Sequence, residues 1–325
     1  MNEELNEACK VGDLNKVIEL FNDDEIIHLH KEYALVIASE YGHLGIVKYL
    51  IENGINIHSY DDSSLCNAVS AGYRDIVEYL LDKDANVHAQ YDKSIRNAAS
   101  KGYIDIVKLL VKKGADIHID NEMPLFLASR DNRVDVVKYL IEKGANVNLH
   151  IELYVSSLDI SSSRGNLDIV KLLVENGADI NRCDNSSLYW ATRYNRIETV
   201  KYLVEKGANV NSEYSNALLV AVECNHIEII KYLVEKGANT CVLSNETKFK
   251  YGIPLFNWVK KPDNFPPFRQ LSECPISQVK LTNDISQLGC SKCLNVFERI
   301  SLEEWFSIKH IVCPVCRMGK EFYIV

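Results

Sequence analysis

Along most of the chain, apolar residues fall in short clusters that return at a fixed spacing. Val136, Val137, Leu140 and Ile141 show the pattern: two adjoining apolar positions, then two more four positions on. Residues four apart share one side of a helix, so each cluster predicts a helix with a single buried face. Ahead of each lies a shorter run of small apolar residues, such as LVIAS (35–39), IRNAAS (95–100) and LFLASR (125–130), which predicts a first, shorter helix. The two are divided by Gly42, Gly72, Gly102, Asn132, Gly165, Asn195 and Asn225, whose numbers rise by a constant step except for one longer interval between Asn132 and Gly165. A helix stops most easily on a residue that accepts positive φ, as Gly and Asn do. VGDLNKVIELF (11–21) is a degenerate earlier copy, with Gly12 standing one such step before Gly42, which makes eight units. Asp75, Asp105, Asp135 and Asp168 mark the starts of the second helices, where a carboxylate opposes the helix dipole. Gly54, Gly114, Gly144, Gly177, Gly207 and Gly237 end them, and the connection to the next unit reads as a hairpin-like loop.

A lone unit of this kind cannot cover its apolar face, so neighbours must stack into a solenoid with a continuous core. The run GADIHIDNEMPLFLASRDNRVDVVKYLIEKGANVN (114–148) resembles the ankyrin repeat, with MPLFLAS where that family usually carries a Thr-Pro-Leu-His box. The resemblance spans roughly residues 1–240. It is also similar in phrasing (KYLIEKGANV) and in its Ile/Asn/Lys-rich composition to ankyrin proteins of giant DNA viruses. The units depart from the family in length, about 30 residues against about 33, and in lacking the box in every copy. The departure implies shortened fingers and a less regular inner face. The resemblance implies a mainly α solenoid that binds a target protein, and leaves that target open because one fold serves many partners.

Composition narrows the class further. With 47% hydrophobic and 25% charged residues the chain is ordinary for a globular protein. No basic n-region precedes an apolar run, and no apolar stretch is long enough to cross a bilayer, so neither secretion nor a membrane span is expected. The expected setting is intracellular, cytoplasmic or nuclear. Residues 1–240 hold 25 Lys/Arg against 37 Asp/Glu, a net of −12, which repels phosphates and argues against nucleic acid. Tyr60, Tyr91 and Tyr214 fall at loop tips, either as contact residues or as scattered exposed aromatics. His58, His88 and His118 hold one position in three successive units, where later units have Asn148, Asn181 and Asn211. Stacked helices lie about 8–10 Å apart, too far for three such histidines to share an ion at about 2 Å. A structural role is expected instead, since His and Asn both tolerate left-handed backbone.

The last part of the chain is different. Five of the ten cysteines (Cys9, Cys66, Cys183, Cys224, Cys241) are scattered, whereas the rest fall between 274 and 316. Residues 241–271, with Pro254, Pro262, Pro266 and Pro267, read as a linker whose Leu255, Phe256 and Trp258 cover the open end of the array. In residues 272–325 two Cys-x-x-Cys pairs, Cys290/Cys293 and Cys313/Cys316, are separated by positions 294–312, a spacing that closes on one tetrahedral zinc. A thioredoxin-like redox role for either pair fits less well, because no βαβ pattern surrounds them. A module of this size folds largely on metal-binding energy, so one structural zinc ion is expected. Between the pairs, Ser301 to Glu304 forms a capping box, and Leu302, Trp305 and Phe306 share one face of a short helix.

The whole tail, CPIS…LGCSKCLNVFERISLEEWF…CPVCR, resembles the RING and U-box domains of ubiquitin ligases, an α+β fold. By that resemblance Cys290, Cys293, Cys313 and Cys316 form the second of the family's two zinc sites. The first site is lost: Cys274 remains, Ser277 stands at its partner's position, and His310 is surplus to four thiolates. The resemblance also places Ile276, Trp305 and Pro314 in the groove that grips a ubiquitin-conjugating enzyme, with Arg317 touching both enzyme and ubiquitin. Plain core packing for Ile276 and Trp305, and a solvated charge for Arg317, are the competing readings. Taken together, the sequence predicts an adaptor: an array that holds a target and a tail that recruits the conjugating enzyme, with no covalent catalytic residue. Its rivals are a pure scaffold with a zinc cap and a zinc-finger DNA binder. The second fits poorly with a tail that carries six basic and six acidic residues.

Overall fold

In the computed structural model, the described residues are 2–22, 28–150, 155–212 and 216–253, with strand segments at 259–260, 287–290, 296–298 and 322–324. The chain divides into two compact units, Met1–Ala217 and Leu218–Val325. The first is built from helix pairs in chain order: α1 (Asn2–Val11) and α2 (Leu14–Phe21), α3 (His28–Tyr41) and α4 (Leu44–Glu52), α5 (Ser59–Ala71) and α6 (Arg74–Asp82), α7 (Ala89–Lys101) and α8 (Ile104–Lys112). There follow α9 (Ile119–Arg130) and α10 (Val134–Glu142), α11 (Ser157–Arg164) and α12 (Leu167–Glu175), and α13 (Arg182–Arg193) and α14 (Ile197–Glu205). Each first helix packs on the first helices of its neighbours, α1 through α13, and each second helix on its own kind, α2 through α14. This is the two-layer solenoid that the sequence period demands.

The core is a pair of columns. Leu35, Leu65, Ile95, Leu125, Leu158 and Leu188 are buried at one position of successive first helices, and Leu50, Leu80, Leu110, Leu140, Leu173 and Leu203 at one position of the second. Val136 and Val137 are buried as their pattern predicts, while Ile141 is half-buried. Trimming a Leu in such a column to Ala costs about 2–5 kcal/mol, since stacked neighbours collapse only partly into the gap. The turn between the two helices carries positive φ at Gly42, Gly72, Gly102, Asn132, Gly165 and Asn195. Gly42 is required twice over, because a Cβ there would meet the Tyr73 ring of the next unit at 2.5 Å. The second helices begin one residue before Asp75, Asp105, Asp135 and Asp168, which lie in the first turn, inside the helix rather than at its N-cap, and oppose the dipole there; Asp75 also accepts from the Ile76 N–H at 2.9 Å.

The connections between units are tighter than a hairpin. Only positions 83–88 separate α6 from α7, and among residues 2–253 the described chain pairs strand-like only at the bridge between His150 and Ser156. Six of the described connections instead fold as Asx-turns, in which the side-chain oxygen of Asn56, Asn86, Asp116, Asn146, Asp179 or Asn209 accepts from the backbone N–H two residues on. The chain then enters the next first helix through three consecutive left-handed residues: Tyr60–Asp62, Gln90–Asp92, Asp120–Glu122 and Cys183–Asn185, all with φ between 46° and 66°. The histidines themselves are not left-handed. His58, His88 and His118 have φ of −85°, −93° and −95°, so the left-handed tolerance expected of them belongs to residues starting two positions later.

In the second unit α16 (Ile227–Glu235) follows α15 (Ala217–Glu223). A single 3-10 turn (Thr240–Val242) and α17 (Asn245–Lys250) come next, burying Leu243, Lys248 and Ile253. Part of the segment read as a linker is therefore folded; Leu255, Phe256 and Trp258 lie outside the described residues. Strands β1 (Val259–Lys260), β2 (Gln287–Cys290), β3 (Val296–Glu298) and β4 (Phe322–Ile324) make a sheet of order β1-β4-β2-β3, parallel at β1–β4 and antiparallel elsewhere.

Candidate functional site

The left-handed turns explain what the repeated histidines do. The third residue of each turn is buried: Asp62, Asp92, Glu122 and Asn185. In the three histidine units its side chain accepts from the His four residues earlier, at 3.2 Å for His58–Asp62 and 2.7 Å for both His88–Asp92 and His118–Glu122. Asp62, Glu122 and Asn185 also accept from the backbone N–H of the next connection, at Asn86, Asn146 and Asn209. The buried side chain thus ties one unit to the next. The hydrogen bond to Glu122 raises the pKa of His118 above its ordinary value, against the opposing effect of burial. Each histidine pairs within its own unit, the structural role expected, and among the described residues no three His, Cys, Asp or Glu converge as a metal site.

The exposed face of the first helices is not uniform. Five positions before the turns at Gly72, Gly102, Asn132, Gly165 and Asn195 stand Asn67, Asn97, Leu127, Ile160 and Trp190, all half-buried, whereas the same position before the Gly42 and Asn225 turns holds the buried Ile37 and Val220. The first two belong to a polar strip: Asn67 donates to Glu40 at 3.3 Å and Asn97 to Ser70 at 2.7 Å. From Leu127 onward the same position is apolar. Here the one longer sequence step extends the connection before α11, and Val155 joins Asp159, Ile160, Ser163, Trp190 and Tyr194 around a cavity of about 200 Å³. Trp190 stacks on Tyr194 with ring centroids 6.1 Å apart at 17°, and meets Tyr189 edge-on at 5.1 Å. Asp159, buried in the cavity floor, is held by its capping box with Ser156 and by the Ser186 and Ser187 hydroxyls, both at 2.6 Å. Arg182 bonds the Asn148 carbonyl and His150 Nδ1, where the connection before α11 begins. A slot with apolar walls and a satisfied polar floor suits a single inserted side chain.

Of the tyrosines expected to project, Tyr91 is 87% exposed and Tyr60 43%, the latter edge-on to Tyr33 at 5.7 Å. Tyr214 lies outside the described residues. Among the scattered cysteines, Cys9 and Cys66 are buried and burial pushes both thiols up, Cys9 to about 12, so they stay protonated and unreactive. Of the residues singled out in the tail, Cys290 ends β2, paired with Phe322 of β4. Cys293, Cys313, Cys316, Ile276, Trp305, Pro314 and Arg317 lie outside the described residues, as does the short helix expected from Ser301.

Comparison with known proteins agrees with this architecture. A family model described as ankyrin repeats matches in three copies, at residues 5–91, 95–151 and 158–243. The crystal structure of the human ASB11 ankyrin repeat domain superposes over 63% of this chain and 98% of that one, with a TM-score of 0.57 and 23% identity, a likeness of fold. No curated protein matches. Among the described residues no helix is long and apolar enough to cross a membrane. Stacked helix pairs, positive-φ turns at a regular period and a match over most of the length have one meaning: the chain belongs to the ankyrin-repeat family, whose arrays are scaffolds for protein–protein interaction.

Proposed function

We propose that the first-helix face from α9 to α13 holds a target protein, and that the tail brings a ubiquitin-conjugating enzyme beside it. The observation that carries the first half is the change from a hydrogen-bonded polar strip to an apolar strip with a cavity. Half-exposed Leu, Ile and Trp beside a slot are what a docking surface needs and what a stacked array does not. The second half rests on the tail's sequence. Four thiolates suit one tetrahedral zinc, and the first Cys-x-x-Cys starts at the end of an antiparallel strand. Cys290, Cys293, Cys313 and Cys316 would hold the ion, which supplies folding energy and no chemistry. Ile276, Trp305 and Pro314 would receive the conjugating enzyme, and Arg317 would bridge it to ubiquitin. Acceleration would then come from proximity and from fixing the reactive conformation. Thiolate ligands suit a reducing compartment, cytoplasm or nucleus.

The test is metal content followed by ubiquitin discharge. The full chain should carry one zinc and discharge ubiquitin from at least one of a panel of charged conjugating enzymes, and Arg317→Ala should slow discharge without expelling zinc. A chain that holds one zinc yet discharges none of the panel is a scaffold with a structural cap.

A further inference from the structure

Four carboxylates are buried among the described residues, and one of them stands apart. Asp62, Asp92 and Glu122 each bond a histidine of their own unit. Asp159, 3% exposed at the cavity floor, has no basic partner. It accepts from Ser156 N–H at 2.9 Å, from Ser156 Oγ at 2.7 Å, and from Ser186 and Ser187 Oγ at 2.6 Å each. Those donors occupy both oxygens and fix the carboxylate in place, but none of them carries charge. The rest of the cavity is lined by Val155, Ile160, Trp190, Tyr194 and Ser163. Ser163 Oγ donates its proton to the Ile160 carbonyl at 2.8 Å, which leaves that hydroxyl as an acceptor only. The neighbouring arginines do not supply the missing cation. Arg164 lines a separate depression with Arg196 and Glu198. Arg196 Nε donates to the Ser163 carbonyl at 3.0 Å, and Arg193 has a partner that is not Asp159.

We propose that this cavity receives a lysine side chain from a basic segment of a partner protein, its stem against Val155 and Ile160 and its ammonium over Asp159. The inference rests on the first-helix face being the target-holding surface, and it names what fills the slot. An ammonium brings the charge that Asp159 lacks, a donor for Ser163 Oγ, and a cation for the Trp190 and Tyr194 rings, whose faces attract it. Each of these interactions gains strength where water is displaced. Lysine suits a slot with apolar walls and a polar floor because its long stem is apolar and only its tip is charged. At about 200 Å³ the cavity has room for one such side chain. Arginine fits less well: its planar fork grips a carboxylate through two parallel bonds, and both Asp159 oxygens already accept two bonds each. An acidic side chain would meet the Asp159 charge with no cation between them. At longer range, the net −12 of residues 1–240 draws in a basic partner.

The experiment uses the full chain and short fluorescein-labelled peptides read by anisotropy. The parent probe carries one central Lys among Gly and Ser, and three others replace that Lys with norleucine, Arg or Glu. Norleucine keeps the stem and removes the charge, so it should bind at least tenfold more weakly, as should Glu, with Arg falling between. Asp159→Asn should erase the preference for Lys over norleucine, and Trp190→Ala should weaken the Lys probe. If Asp159→Asn loses helical circular dichroism, Ser163→Ala tests the same point without touching the Asp159 bonds. It should lower Lys binding severalfold and leave norleucine unchanged. A Lys probe that does not bind, that binds no better than norleucine, Arg or Glu, or that is indifferent to both the Asp159 and Ser163 changes overturns the inference. A random-peptide display selection on the same chain separates the two levels. Selected peptides that need Trp190 but carry no Lys sink the lysine occupant and leave the target-holding face standing. Selections that never depend on Trp190 sink both.

Discussion

The connections leading into α7 and α13 do the same job with different chemistry. Into α7 the chain runs through His88 and the buried Asp92; into α13 it runs through Asn181 and the buried Asn185. Both close a left-handed turn with a bond from the third residue's N–H back to the carbonyl four residues earlier, at 3.2 and 3.4 Å. In the histidine units the imidazole bonds its own carboxylate, and where a tie to the next connection is made, as by Asp62 and Glu122, the carboxylate makes it. In the asparagine unit both amides reach across: Asn181 donates to the Gly207 carbonyl and accepts from Asn209 N–H, which Asn185 also accepts. The lesson is that one strained backbone shape can be held by an ion-like pair or by a redundant set of neutral bonds. The first is stronger at a single point and the second survives the loss of one member.

The largest expected effect tests that redundancy. Asp62→Ala leaves the Asn86 N–H without its carboxylate and the turn without its tie, and should cost about 1–3 kcal/mol, the range for losing a part-buried hydrogen bond to a charged acceptor. Asn185→Ala should cost less, about 1 kcal/mol, because Asn181 still accepts from Asn209 N–H. Native-state hydrogen exchange resolves the two locally: protection of the Asn86 amide should fall far more than that of Asn209. Equal losses would show that the amide pair is not redundant.

Sequence periodicity reveals the scaffold but not these ties, for a physical reason. Gly42, Asn132 and their equivalents announce positive φ because their residue types favour it. Tyr60, Gln90 and Cys183 do not, and they are left-handed because the buried residue two positions on, and its bonds, hold the turn so. The repeated His position is legible and its structural role follows from spacing; its mechanism needs the carboxylate at i+4, a spacing present in the sequence but not unique to it. The cavity is less legible still. Trp190 and Ile160 look like any apolar residues of a first helix, and only the longer step before α11 marks the place where Val155 joins them.

A middle-sized effect sharpens what the two connection types share. A left-handed non-glycine residue costs roughly 1–2 kcal/mol, part of which a glycine recovers against its own entropy in the unfolded chain. Tyr91→Gly and Cys183→Gly, both at exposed side chains, should therefore each stabilise the array by about 0.5–1 kcal/mol in urea unfolding. If only one stabilises, the two turns do not store the same strain.

The smallest effect is the most diagnostic, because only the histidine type can show it. The His118 pKa lies above its ordinary value of 6.5, first through its hydrogen bond to Glu122 and then through the charges of Glu122 and Asp116. A group whose folded pKa is raised binds its proton more tightly in the native state, so its contribution is complete below about pH 6.5. It is lost as the pH climbs from there through the folded value. The His118 side chain is 55% exposed, so solvent and salt screen the pair and the contribution should stay under about 1 kcal/mol. Glu122→Gln keeps an acceptor for Asn146 N–H but removes the charge. It should bring the His118 titration, followed by its ring proton resonances, back toward its ordinary value and flatten this part of the stability profile. His118→Asn, which copies the later units, should flatten the same window without moving the other histidines. A stability profile of the wild-type chain that rises across that window, or a Glu122→Gln variant whose His118 titration does not fall, would mean that the imidazole only fills space beside the carboxylate, and the two connection types would then differ in geometry alone.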